Sequence, residues 1–223
     1  MRTKPIIRGE YYHLSNSGIN AMDIFLDEND RVRFLFLIIY FQSPIIWNHI
    51  ERHIGNFLRT GEYGVDASTI ADITKDRYID LIGFTFLPRG FNLVVRELRH
   101  GGISHYMQRV LNSYAKYFNT KYKRKGHLFS GPYKIERVED DDTLLYLTAY
   151  LHKKSKLEIE WRGREMLYPW SSYQDYGKAN RWSSLLRTEV FKKSYGEAKQ
   201  YKKFVESIKT KLLEEKVPFK HRI

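Results

Sequence analysis

Cysteine is absent from this 223-residue chain, which excludes a disulfide framework, a thiolate nucleophile and a cysteine-based zinc site. Long oily runs are also missing: the longest, residues 34–41, falls far short of the roughly 20 residues that span a bilayer. The first eight residues meet charge again too soon to supply the apolar core of a signal peptide, so the expected location is the cytoplasm. With no internal repeat, no low-complexity tract and only six prolines, none of them in a linker-like stretch, two independently folding domains are not expected. Carboxylates are in the minority, 26 Asp and Glu against 38 Lys and Arg, and the formal charge of +12 points to polyanionic partners. Against these absences stands a 42% hydrophobic content, enough to bury a sizeable core.

The pattern along the chain alternates strand and helix signals. Residues 11–15 alternate as a first strand, ended by the turn-prone Asn16-Ser17-Gly18. Asp27-Glu28-Asn29-Asp30 puts carboxylates where a helix N-terminus favours them, ahead of a buried helix through residues 32–39. Over 43–76, Pro44, Gly55, Gly61 and Gly64 break the pattern, and a helical turn or two within a long excursion is expected. Residues 78–86 read as a central strand, with 91–97 as its hairpin partner across Pro88-Arg89-Gly90. Ile103, Met107, Val110, Tyr114 and Tyr117 follow helical spacing, Gly126 to Gly131 marks a loop, and 133–138 returns as a strand. Asp140-Asp141-Asp142 caps a helix with an apolar stripe of Leu144, Leu147, Thr148 and Leu151, while Tyr146 and Tyr150 share another flank. Ser171 and Ser172 read as a turn, and 181–193 and 197–216 as two further helices, the last with Tyr201, Phe204, Ile208 and Leu212 on one side. The fold class this predicts is α+β, an antiparallel sheet with helices packed on it plus a C-terminal helical extension.

The stretch Leu87 to Val95 has the frame of a metal-binding strand without the ligands. Side chains two apart project from one face, so positions 90 and 92 could reach one cation, yet they are Gly90 and Asn92. A lone carboxamide oxygen is a poor substitute for imidazole or carboxylate. Residues 109–137 hold eight cations, Arg109, Lys116, Lys121, Lys123, Arg124, Lys125, Lys134 and Arg137, against Glu136 alone. Tyr114, Tyr117, Phe118, Tyr122, Phe129 and Tyr133 are interleaved with them, a mixture that suits stacking on unpaired bases beside phosphate contacts; the alternative is aromatics in the core and lysines on a solvated face. Tyr150 is the candidate nucleophile, because a phenol can attack a phosphodiester; with a reference pKa of roughly 10 it needs a polarised target, a metal ion's role. His49 and His53 lack an evident third ligand, Gly101-Gly102 lacks the lysine of a phosphate loop, and His127 could touch phosphate or only satisfy its loop.

Taken in order, several of these landmarks resemble the single-tyrosine HUH transposases of insertion sequences, in particular the REP-associated branch, across nearly the whole chain. Tyr12-His13-Leu14-Ser15-Asn16-Ser17-Gly18 resembles the family's opening strand and turn. Ile24-Phe25-Leu26-Asp27 with Arg33-Phe34-Leu35 resembles the approach to its first helix, and Ile82 to Pro88 the strand leading into its histidine-hydrophobe-histidine signature. Tyr117-Phe118-Asn119 with Lys123 to Phe129 resembles its helix end and basic loop, with Pro132 where an arginine is usual. Ala149-Tyr150-Leu151-His152 resembles the catalytic-tyrosine helix, and Tyr168 to Tyr173 the segment that follows.

The resemblance implies a ferredoxin-like or RRM-like transposase core over 1–175 with a helical extension over 176–223. It implies chemistry in which a metal assists attack of Tyr150 on single-stranded or hairpin DNA. Gly90, Asn92 and Lys154 occupy the positions where ligands are expected, so no intact metal site and no cofactor are expected, with Mg or Mn only if the site is active. Arg89, Lys116, Lys121, Lys123, Arg124, Lys125, His127 and Lys134 are the residues expected on DNA, and the enzyme question stays open. The leading expectation is a DNA-binding protein, without a membrane and possible as a homodimer, that has lost cleavage. The alternatives are an active transposase forming a covalent Tyr150 intermediate and an RNA-binding module. Glu97 and Asp80 are carboxylates outside the signature that could turn toward Tyr150.

Overall fold

The computed structural model describes residues 5–45, 50–191 and 196–217. Four strands form one antiparallel sheet: β1 (Tyr11–Ser17), β2 (Ile79–Leu87), β3 (Gly90–Glu97) and β4 (Lys134–Val138), in the order β2-β3-β1-β4. Between β1 and β2 run α1 (Glu28–Tyr40), α2 (Ile50–Thr60) and α3 (Ala67–Lys75), and between β3 and β4 runs α4 (Gly102–Lys121). The chain is therefore α+β, and two crossovers flanking a central hairpin make the split βαβ arrangement of ferredoxin-like folds. After β4 come α5 (Asp141–Lys153), the short α6 (Tyr173–Gly177), α7 (Ala198–Ser207) and α8 (Thr210–Lys216). Among the described residues, no helix is long and apolar enough to cross a membrane.

Strand alternation divides the sheet into two faces. Tyr12 and Leu14 of β1 and Phe91, Leu93 and Val95 of β3 bury one face against α1 and α4. In β2 a bulge between Leu81 and Gly83 resets the alternation, so that Ile79 and Leu81 before it and Phe84 and Phe86 after it share that face. Its centre is aromatic: Phe34 meets Phe86, Phe91 and Tyr114 with ring centroids 5.1, 4.8 and 5.0 Å away. The opposite face presents Ile82, Val94 and Val138 to Leu144, Leu147 and Leu151 of α5, and Tyr201, Val205, Ile208, Leu213 and Val217 close over that layer. The sheet is thus covered on both sides.

Local chemistry explains where the helices begin. Asp27 caps α1, accepting from the Asp30 N–H at 2.9 Å, and the buried Asp30 carboxylate returns the bond to the Asp27 N–H, a capping box. Asp30 also accepts from Lys121, Tyr117 and Tyr122, so the end of α4 is tied to the start of α1. Burial pulls the Asp27 carboxyl upward, but its bonds to Lys121 and to the backbone of Asp30 outweigh this and hold it below its ordinary value. Replacing Asp30 by alanine leaves the Asp27 cap but removes the returning half of the capping box and a charge-assisted network at once, and is expected to destabilise the fold by about 2–3 kcal/mol. A shift of the urea midpoint checks this; an unchanged midpoint counts against the network.

Several expectations need correction. Residues 43–76 hold two helices, α2 and α3, rather than a turn or two, because Gly55 is tolerated within an amphipathic helix and Asp66 caps the second, accepting from the Thr69 N–H. Gly90 lies in β3, paired with Leu87, so the hairpin turn is only Pro88-Arg89. Residues 181–191 form two short 3₁₀ turns instead of a helix, with 192–193 outside the described residues. The last helix is broken at Ile208 and Lys209, and its buried side is Tyr201, Val205, Ile208, Leu213 and Val217, leaving Leu212 exposed. His49 lies outside the described residues; His53 is half-buried, with its ring 6.1 Å from Tyr40.

Candidate functional site

On the α5 side of the sheet, β1, β3 and β4 place a polar cluster among apolar layers. Cross-strand pairing sets His13 opposite Glu136, Ser15 opposite both Asn92 and Lys134, and Ser17 opposite Gly90. Gly90 and Asn92 share this face with Val94, as their spacing requires. His13 Nε2 lies 3.0 Å from Asn92 Oδ1, and His13 Nδ1 lies 3.7 Å from a Glu136 carboxylate oxygen. The Lys154 ammonium, one turn beyond Tyr150, donates to the same Asn92 oxygen at 3.4 Å and stands 5.1 Å from the centre of the Tyr150 ring. His13, Ser15, Asn92 and Lys154 are buried; Tyr150 is half-buried. The structure therefore brings together Asn92, Lys154 and Tyr150, and adds His13 and Glu136, whose cross-strand register becomes visible only once strand order is known.

The other carboxylates are committed elsewhere. Glu97 accepts from the Gly102 and Ile103 N–H groups at 3.1 and 2.7 Å and so caps α4; burial nevertheless pushes its carboxyl above the ordinary range. Asp80 pairs with Arg77 at 2.9 Å. Among the described residues, no group of three or more His, Cys, Asp or Glu side chains converges in a way that could hold a metal ion.

Beneath Tyr150, the end of α5 is held by residues read from sequence as a turn. Ser172 Oγ accepts from the Phe84 N–H at 3.0 Å and lies 2.8 Å from His152 Nε2, while His152 Nδ1 lies 2.9 Å from the Tyr201 hydroxyl. One chain of hydrogen bonds thus crosses from β2 through α5 to α7. Ser171 bridges to Thr85, whose hydroxyl donates at 2.8 Å to the Leu151 carbonyl, which also accepts from the Lys154 N–H at the end of α5. His152 stacks on Tyr173 at 5.2 Å, and burial drives its ring pKa down to about 3. A buried serine has no signature of its own; the segments 149–152 and 168–173 stood out as landmarks, but the bonds between them were not legible.

The basic residues divide into committed and exposed groups. Lys121 bonds Asp27 and Asp30; burial lowers its pKa, but those two carboxylates outweigh it and raise it overall. Arg109 donates to the carbonyls of Ser43 and Ile45, Arg137 pairs with Glu10 at 3.1 Å, and Arg124 reaches Asn119 Oδ1 at 3.2 Å. Lys116, Lys123, Lys125, His127 and Lys134 are exposed around the connection from α4 to β4. Arg89 is exposed on the β2–β3 turn, 3.4 Å from Asp23, and its carbonyl accepts from the Gly18 N–H at 2.9 Å. Gly18 also bridges to Phe129, so the turn and the basic loop meet there. A Cβ on Gly18 would lie 2.2 Å from the Met22 carbonyl oxygen, which is why the junction needs glycine. The interleaved aromatics face inward: Tyr114, Phe118 and Phe129 are buried, and Tyr117 and Tyr122 bond Asp30. They follow the core reading rather than the stacking one.

The fold and these residues define an α+β protein with a buried polar cluster on one face and a cationic connection beside it. No family model matches the chain, and no curated protein matches it. Among solved structures it is similar to a REP-associated tyrosine transposase bound to a REP hairpin, with a TM-score of 0.49 and 9% identity, over 78% of this chain and 82% of that one.

Proposed function

We propose that this chain is a DNA-binding protein of single-tyrosine transposase descent that holds single-stranded or hairpin DNA on its exposed basic surface and has lost metal-dependent cleavage. The observation that carries the reading is the Lys154 ammonium standing between Asn92 and Tyr150. Asn92 supplies the only side-chain oxygen at the two β3 positions, and that oxygen already receives Lys154 and faces His13 Nε2. Gly90 brings no ligand and the Asn92 oxygen is already engaged by Lys154 and His13, so the residues present do not fit a metal, and no step is assigned to one. Meanwhile Lys116, Lys123, Lys125, Lys134 and Arg89 stay exposed, as phosphate contacts require. The extension after residue 175 serves the core by covering α5, with Lys153 donating to the Ile208 carbonyl.

Labelled hairpin DNA incubated with the protein and millimolar Mg or Mn, then run on denaturing gels, tests both halves. Salt-sensitive binding on native gels and no covalent band on denaturing gels are expected. A covalent adduct that disappears in Tyr150→Phe would establish an active transposase instead. Tighter binding to the matched RNA hairpin would favour the RNA-binding alternative.

A further inference from the structure

Beside the exposed lysines lies a groove whose walls are apolar. Leu111 and Ala115 of α4 form one side, Ile19 lies at the end nearest β1, and Leu128, Phe129 and Pro132 of the loop form the other side. The loop wall is pinned by its backbone. Ile19 N–H donates to the Leu128 carbonyl at 3.0 Å and Ser130 N–H to the Ser17 carbonyl at 2.9 Å. The Asn16 and Asn119 carboxamides hold the carbonyls of Gly131 and Gly126 at 3.0 and 2.9 Å. Gly126 and Gly131 take φ of +90° and +155°, and a Cβ on either would meet nothing within 4 Å. Glycine there serves the backbone's course and leaves the rim open. The groove is preformed rather than assembled on binding.

Its rim chemistry selects among occupants. Exposed Asn112, His127 and Ser130 offer neutral donors and acceptors, Lys116 is the neighbour of Ala115, and Lys123 and Lys125 precede Gly126 in the same loop. Among the described residues lining the groove, none is acidic. A metal ion or a bare phosphate finds no partner on apolar walls, whereas a flat uncharged ring carried on an anionic backbone matches both the walls and the rim. We infer that this groove receives one unpaired nucleobase of a bound single strand. Leu111, Ala115 and Pro132 take the faces of the ring, the Asn112 carboxamide its edge, and Lys116, Lys123 and Lys125 the flanking phosphates.

This inference rests on the DNA-binding reading and is tested so that the two can fail separately. The probes are an oligo-deoxyadenosine strand and an abasic strand of the same length and charge. The intact strand is expected to bind about tenfold more tightly, since base stacking is sequence-tolerant but needs a base. Ala115→Trp, which fills the groove, and Asn112→Ala, an exposed change that spares the fold, are each expected to narrow that ratio while leaving the salt dependence in place. Thermal melting confirms that both variants are folded. Equal affinity for intact and abasic strands, with salt-sensitive binding retained, overturns the groove and leaves the DNA reading standing. Binding of neither strand at low salt overturns both.

Discussion

Replacing Lys116, Lys123, Lys125 and Lys134 together by glutamine is expected to weaken binding to single-stranded DNA by about a thousandfold at 50 mM salt. Each phosphate contact on a single strand contributes roughly 0.7 of a decade in affinity per decade of salt, because it releases a condensed counterion. Four such contacts make the native affinity fall about fifty-fold between 50 and 200 mM salt, and the quadruple variant should lose that part of the slope. All four side chains are exposed, so the substitutions leave the core intact, and the variant should melt with the native protein. Lys121 provides the contrast. It is bound to Asp27 and Asp30, so Lys121→Gln should lower stability more than it lowers DNA affinity. Fluorescence anisotropy across a salt series checks both; an unchanged slope in the quadruple variant would move the DNA surface elsewhere.

Acidification from pH 7.5 to 4.5 should cost the fold roughly 2–3 kcal/mol through His152 alone. In the unfolded chain its imidazole takes up a proton near 6.5, but in the folded protein burial delays this to about 3. Between those values the unfolded chain binds the extra proton, so stability is complete above about 6.5 and is lost as the pH falls toward 3. No charged side chain drives the shift. The ring is enclosed by the phenols of Tyr173, Tyr176 and Tyr201, and its two nitrogens face hydroxyls. Because this histidine joins β2, α5 and α7, the loss should appear as detachment of the C-terminal helices from α5. Urea midpoints at the two pH values, repeated in His152→Gln, test it; an equal drop in the variant would assign the acid sensitivity to the carboxylates.

Much of the framework was legible in the chain because it rests on local rules. Period-two alternation marked β1, a central strand and its hairpin partner marked β2 and β3, an apolar run behind carboxylates marked α1, helical spacing marked α4 and α5, and the carboxylates at Asp27 and Asp140 marked two caps that the structure places at Asp27 and Asp140. What failed locally was what depends on packing. Residues 181–191 have helical composition but are held as turns, with the Gln42 and Arg77 side chains bonded to the carbonyls of Leu185 and Ser184. The last helix breaks at Ile208, whose carbonyl is taken by Lys153 of α5. The aromatics among the lysines looked suited to bases, yet the face of α4 that carries Tyr114 and Phe118 is the face turned to the sheet.

The pair Gly90 and Asn92, and the spacing from Tyr150 to Lys154, can be read from the order of residues alone, since strand and helix periods place them without any knowledge of neighbours. That Asn92 meets His13 and Lys154 at one oxygen, and that the Ser172 turn also contacts a buried histidine, depends on which strands and helices lie side by side. Such contacts join residues between 20 and 79 positions apart. They arise when burial forces distant polar atoms to find partners among whatever the fold has brought near, a constraint that no local window of sequence contains.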